Sequence, residues 1–300
     1  GPYVMSEYSA GSYVKFTRNE NYFLGAPSIE NIVFRIIENE NTAMTAIQSG
    51  EVNAWIGTPT QVEQMSLEAN NLEVHPYQEG RVAYMMINQN RVKDENLRKA
   101  ILFALDKKAI ADACLLDSEY YDLPWSFLPP NSEFFTEDVE KYEQDIEKSK
   151  EYLAASGVTN PQLTLAYGSS DTLQSTAAVM VQEQLEKVGI KVTLSGVDAT
   201  ALSQQMKDPA NTYDMYFGGY IMGIDPDTFA SLFETGAAYN YMYYNVPEIN
   251  DLFAQGRTET NPEKRMEIYT ALQQKIQDTA SFYPLYSNKR LLVVSNNVTG

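Results

Sequence analysis

The sequence predicts an α/β protein, and three observations lead to that class. Residues 163–167, 171–187 and 190–194 read as strand, amphipathic helix and strand in succession, with Gly189 ending the helix. Such a β-α-β crossover needs parallel pairing in a sheet covered on both faces. Strand-like and helix-like segments alternate along the rest of the chain, and no repeat, low-complexity tract or long linker interrupts them. A chain of 300 residues is long enough for a large core and favours two lobes or domains.

In chain order, residues 13–17 and 30–37 read as strands, the second with Ile32, Phe34 and Ile36 on one face. Residues 41–49 read as a short helix closed by Gly50, which suits a left-handed cap. Residues 51–56 return to extended structure, and 84–88 form a short apolar strand. Asp94 caps a helix with Leu97, Ile101, Ala104 and Leu105 on one face, and Asp106 caps a second over 107–116. The segment 123–130 holds three prolines around Trp125 and Phe127, so it reads as a pinned irregular loop.

The crossover helix carries Leu173, Ala177, Met180, Val181 and Leu185 on one face. A helix around 199–207 leads to an aromatic strand over 213–220. Near the C-terminus Asn261 caps a helix with Pro262 at its first position and Met266, Tyr269, Leu272 and Ile276 as its buried stripe. Residues 283–286 and 290–295 read as two returning strands.

The most informative stretch is YDMYFGGYIMGIDPDTFASLF, residues 213–233. An aromatic strand ends in Gly218-Gly219, where the backbone is free to approach something closely. Pro226, with acids on either side, fits the first turn of a helix. A ligand-cleft wall and a buried strand with a capped helix behind it both fit this pattern.

Composition excludes several function classes. With 22 Lys+Arg and 40 Asp+Glu the net charge is −18, and no basic cluster or stripe suggests nucleic acid or anionic lipid. The longest apolar run, residues 100–105, is far short of a membrane span. The lone Cys114, on a helical stretch, allows no internal disulfide and reads as a buried inert thiol. Neither it nor the lone His75 supplies a His/Cys metal site or a nucleophile–base pair, so no metal or cofactor is expected. No G-x-S-x-G, P-loop or G-x-G-x-x-G motif occurs.

Gly1-Pro2-Tyr3 followed by VKFTRNENYFLGAPSIENIVFRII resembles the middle of the large solute-binding proteins that serve peptide and nickel ABC transporters. Four more segments match in the same order: TAMTAIQSGEVNAW, YMMINQNRVKDENLRKAILFALDKKAI, YNVPEINDLFAQGRTETNPEKRMEIYTALQQKI and SFYPLYSNKRLLVVSNNVTG. Each is weak alone; five in order make the chain resemble family 5, the dipeptide/oligopeptide-binding proteins, from Gly1 to Gly300.

The resemblance implies a two-lobed, type II periplasmic-binding-protein-like architecture of the large cluster with an extra domain. It implies a signal sequence and N-terminal region ahead of Gly1, so that lobe I is incomplete here. Residues 1–80 would be part of lobe I, 81–280 lobe II, and 281–300 a return segment to lobe I. Crossings near 82–86 and 281–285 would form a hinge closing over the ligand, driven by its preference for the closed form. The implied role is non-catalytic: capture of an oligopeptide for the permease and ATPase subunits of an ABC importer. The full-length protein would be an extracytoplasmic monomer, periplasmic or tethered as a lipoprotein.

Carried over residue by residue, Gly219, Tyr220 and Ile221 would line the cleft. Where peptide-binding relatives hold the ligand's α-amino group with an aspartate, this chain has Met222, with Asp225 and Asp227 nearby as substitutes. Tyr286 resembles a cleft-facing tyrosine of the family, and Tyr121 and Trp125 on the proline-pinned loop are expected either to cover the ligand or to pack inside the loop. The methionine and the tyrosine-rich segment 239–244 raise a second reading, an oligosaccharide receptor. A remote third is a glycoside hydrolase working through a carboxylate pair.

Overall fold

A computed structural model describes residues 1–221 and 223–298 of the chain. The chain divides into two compact units: Gly1–His75 with residues from 292 onward, and Pro76–Leu291.

The first unit opens with strands β1 (Tyr3–Ser9), β2 (Tyr13–Arg18) and β3 (Asn31–Arg35), an antiparallel sheet in that order. Helix α1 (Glu40–Gln48) follows, its first turn held by Asn39, whose Oδ1 accepts from Thr42 N at 3.0 Å. Gly50 takes a positive φ of 75° just beyond it. Strand β4 (Ala54–Gly57), helix α2 (Pro59–Gln64) with a Thr58–Gln61 capping box, and strand β5 (Leu72–Gln78) complete this part.

The second unit is built on β6 (Ala83–Ile87), every residue of it buried. Helices α3 (Glu95–Phe103) and α4 (Lys107–Leu115) start at Asp94 and Asp106, whose carboxylates accept from Leu97 N and Ala109 N. The two-residue strand β7 (Tyr121–Asp122) precedes an irregular proline loop, and helix α5 (Ile146–Ala155) follows. Then come β8 (Gln162–Gly168), α6 (Thr172–Glu186) and β9 (Lys191–Val197), with β8 and β9 parallel over seven paired residues. That is the crossover the sequence predicts. Helix α7 (Ala199–Gln205), strand β10 (Met215–Gly218) and the short helix α8 (Ala230–Phe233) follow. Helices α9 (Pro247–Thr258) and α10 (Pro262–Asp278) lead to β11 (Phe282–Ser295).

The second unit's sheet runs β11-β6-β10-β8-β9; β10 pairs parallel with β8 and antiparallel with β6, and β11 is antiparallel to β6. Alternate residues of its strands feed two cores. Ala83, Met85, Ile87, Leu165, Met215, Phe217 and Tyr283 enter one, and Tyr84, Met86, Ala166, Tyr216 and Phe282 the other. Each fully buried large apolar side chain contributes roughly 1.5–3 kcal/mol.

Several expectations need correction. The two predicted C-terminal strands are one strand, β11, irregular between Pro284 and Tyr286, where proline has no N–H for the ladder. Met266 is 37% exposed, so the buried stripe of α10 starts a turn later, at Tyr269. Residues 82–86 and 281–285, expected as a hinge, lie inside the second unit: Phe282, Tyr283 and Pro284 pair with Met86, Met85 and Tyr84. The chain passes between units at 75–76 and 291–292 instead.

Two outcomes follow from the packing. A Cβ at Gly256 in α9 would meet Tyr269 Cζ of α10 at 2.5 Å. Gly256→Ala should therefore destabilise by about 1–3 kcal/mol even though alanine is the better helix former; an unchanged or higher Tm would refute the close helix approach. Burial pushes the Cys114 thiol up to about 11, leaving about a thousandth of it as thiolate at pH 8. At that pH an aromatic disulfide reagent should label the folded chain ~100-fold more slowly than the unfolded chain. Equal rates would show the thiol to be open.

Candidate ligand-binding site

The glycine pair at the end of β10 approaches the protein's own side chains. A Cβ at Gly218 would sit 2.4 Å from Tyr84 Cε2, and one at Gly219 would sit 2.9 Å from Arg81 Nη2. Both contacts are closer than real Cβ atoms show, so a side chain at Gly218 would displace the Tyr84 ring and one at Gly219 would push the end of the Arg81 side chain aside. Arg81 pairs with Ile221 in a single antiparallel bridge, and its Nε donates to Gly219 O at 3.3 Å. Its Nη1 donates to Asn288 Oδ1 at 3.3 Å, which ties β11 to the same place.

Beyond the glycines, Tyr220 and Ile221 are exposed. The Tyr220 ring lies 5.3 Å from that of Tyr239, Tyr239 lies 6.1 Å from Tyr241, and Tyr241 lies 6.0 Å from Tyr216. This file of rings runs from solvent to core: Tyr220 and Tyr239 are each 37% exposed, and Tyr216 is 1% exposed. Burial holds the hydroxyls of Tyr84, Tyr216 and Tyr220 above the ordinary phenol range, so they serve as neutral groups. The Tyr84 hydroxyl, buried beneath the glycines, has no hydrogen-bond partner among the described residues.

The two acids of the following turn are engaged within the fold. Asp225 caps the 3-10 turn Pro226–Phe229, accepting from Asp227 N at 2.9 Å, and pairs with Arg265 Nη2 at 3.3 Å. Asp227 pairs with Arg257 Nε at 2.5 Å. Pro226 at the first helical position matches the sequence reading, while each carboxylate already faces a cation. Met222 lies outside the described residues.

Of the remaining sequence candidates, Tyr121 pairs in the ladder with Asn288, the residue that Arg81 contacts, Tyr286 lies opposite Ala83, and Trp125 sits on the proline loop. Tyr121 is buried, its hydroxyl donating to Asp112 Oδ1 at 2.5 Å. Trp125 is half-buried and covers the Lys107 ammonium, which lies 3.4 Å from the ring centroid and donates to Pro124 O at 2.6 Å. Lys107 is itself 4% exposed, and burial lowers its pKa well below the ordinary range. Glutamines of α10 hold the same loop: Gln277 donates to Trp125 O, and Gln273 donates to Phe134 O at 2.8 Å. Tyr121 and Trp125 make contacts with Asp112, Lys107 and Tyr283 of the same unit. Tyr286 is 2% exposed against the first core, so no face of its ring is open. Hollows of about 410 Å³ beside Tyr121 and Pro124, and of about 420 Å³ beside Tyr241 and Tyr244, flank the unit without including Gly219 or Tyr220.

Sequence reasoning missed Arg81, Asn288 and Lys107. A signal for the first was present: a charged residue between Gly80, which has φ 77°, and the wholly apolar β6. No group of three or more His, Cys, Asp or Glu arranged for a metal ion occurs among the described residues, and among them no helix is long and apolar enough to cross a membrane.

Residues 1–241 match the model of the bacterial extracellular solute-binding proteins, family 5 middle. The oligopeptide-binding protein AppA of Bacillus subtilis is 26% identical over 323 aligned residues, which take in 100% of this chain and 58% of AppA. The chain thus spans somewhat over half the length of that relative. Among solved structures, the ABC transporter substrate-binding protein CtaP of Listeria monocytogenes is 34% identical with a TM-score of 0.93, covering 98% of this chain and 61% of CtaP. AppA of Clostridium difficile is 30% identical with a TM-score of 0.92, covering 100% of this chain and 63% of the other.

The glycine pair yields a graded outcome. Gly218→Ala confronts a buried ring and should destabilise by about 1–3 kcal/mol, whereas Gly219→Ala confronts the end of a flexible side chain and should cost less. Urea melts of both variants check the order, and the reverse order would overturn the packing described for Tyr84.

Proposed function

The chain belongs to family 5 of the bacterial extracellular solute-binding proteins, and on that premise we propose that it is the ligand-holding part of a substrate-binding component of an ABC importer. Its cargo on this reading is an oligopeptide or a related small solute, delivered to a membrane permease outside the cytoplasm. The observation that carries the proposal is the match of the family model over residues 1–241. The oligopeptide follows the binding named for the Bacillus subtilis relative, which is 26% identical. On this reading Pro76–Leu291 is the greater part of one lobe, and Gly1–His75 with the C-terminal residues belongs to the other.

The physical support lies at the end of β10. Beyond Gly218-Gly219 the chain is exposed at Tyr220 and Ile221, and the Tyr220–Tyr239 ring pair offers aromatic surface there. Such a combination suits main-chain hydrogen bonds to an extended solute, with side chains tolerated in wet surroundings. The same ring pair favours an oligosaccharide as second reading, since sugar faces stack on tyrosine. A carboxylate-pair hydrolase is disfavoured, because Asp225 and Asp227 are each held by an arginine.

A thermal-shift screen of the full-length protein against tri- to pentapeptides and neutral oligosaccharides tests the reading. A true ligand at 100 times its Kd should stabilise by about 2.7 kcal/mol. A response to peptides alone supports the first reading and a response to sugars alone the second. Turnover of a chromogenic glycoside would overturn both.

A further inference from the structure

Arg81 is a half-buried cation with neutral partners in a chain of net charge −18. Its two acceptors, Gly219 O and Asn288 Oδ1, both lie at 3.3 Å, beyond the usual N–H···O range. Its Nη2 has no acceptor, and no carboxylate pairs with it, among the described residues. The other arginines of the second unit are served differently. Arg91, Arg257, Arg265 and Arg290 each hold a carboxylate, and Arg98 donates to three main-chain carbonyls. With 40 Asp+Glu against 22 Lys+Arg, carboxylates are plentiful, and this guanidinium is nonetheless left without one.

Its position is built. The glycine at 219 keeps clear the space that any side chain would take from the guanidinium, 2.9 Å from Nη2. Ile221 bridges to its backbone, and Ser287 Oγ donates to Arg81 O at 2.7 Å, so the main chain is held from both sides. The unpartnered Tyr84 hydroxyl lies against the neighbouring Gly218, and the exposed Tyr220 follows Gly219 in the chain. A planar guanidinium with open donors is matched in shape and charge to a carboxylate, and a partly desolvated pair of this kind is stronger than one in water.

We propose that Arg81 anchors a carboxylate of the solute at the Gly218–Ile221 strand end, so that the cargo carries a free carboxylate. The inference rests on the solute-receptor reading and deepens it. The charge recognised here is the opposite of the ligand amine that the family resemblance implied.

The test uses the full-length protein and matched probe pairs in calorimetric titrations: tri- to pentapeptides with free or amidated C-termini, and trigalacturonate against maltotriose. Wild-type protein should bind an acidic member at least ~10-fold more tightly than its neutral counterpart. Arg81→Gln, which keeps neutral donors for Gly219 O and Asn288, should weaken that acidic probe by about 10–100-fold and leave neutral probes unchanged. Arg81→Lys should restore part of the preference. Equal binding of acid and amide by the wild type, or a preference that survives Arg81→Gln, overturns Arg81 as the anchor and leaves a peptide receptor standing. Arg81-dependent binding of the uronate alone supports the anchor and overturns the peptide reading. Wild-type protein that binds no acidic probe overturns both.

Discussion

The second unit depends on one sheet being covered on both faces. Strand β6 has no residue in solvent, and its side chains alternate between two cores, Ala83, Met85 and Ile87 to one side and Tyr84 and Met86 to the other. A strand in that position must satisfy its backbone wholly by pairing, and β10 and β11 do so from either edge. The polar groups that enter this interior are correspondingly tied. Asp214, 5% exposed, accepts from Thr164 N at 2.7 Å and from Arg91 Nε at 2.8 Å. A buried carboxylate lacking those partners would be costly.

The same sheet determines what is presented at its end. β10 runs out at Gly218, where Tyr84 from β6 and Arg81 from just before it lie against the glycines. The small residues therefore make room first for the protein's own ring and guanidinium, and only through them for a ligand. The acids after the turn have a structural part to play, capping the Pro226 turn and pairing with arginines of α9 and α10. The proline loop is fastened by a buried lysine beneath Trp125 and by glutamines of α10, polar groups at positions a simple apolar stripe would leave unmentioned.

The first unit differs in kind. Its antiparallel sheet leaves Val4, Met5, Val33 and Phe34 largely in solvent, and its helix α1 owes its start to a single asparagine cap. Its elements are locally specified, and its buried residues among those described are few: Ala43, Ala46, Ile47, Gln61, Val62, Met65, Leu72 and Val293.

Local chemistry was legible in the sequence. The caps at Asp94, Asp106 and Asn261, the glycine at 189 and the alternation of strand and helix all lie within a few residues of their causes, and the structure has each of them. So was the family, because five ordered segments outweigh any single motif. Which groups meet across long separations was settled by the folded chain and by nothing local. Arg81 reaches Gly219, 138 positions away, and Asn288, 207 positions away. Gln277 holds Trp125 across 152 positions, and Tyr286 turns into the core. Local propensity and periodicity act over a few residues, whereas these contacts are set by strand order, register and the filling of two cores; neither spacing nor composition encodes them in a form a single sequence displays.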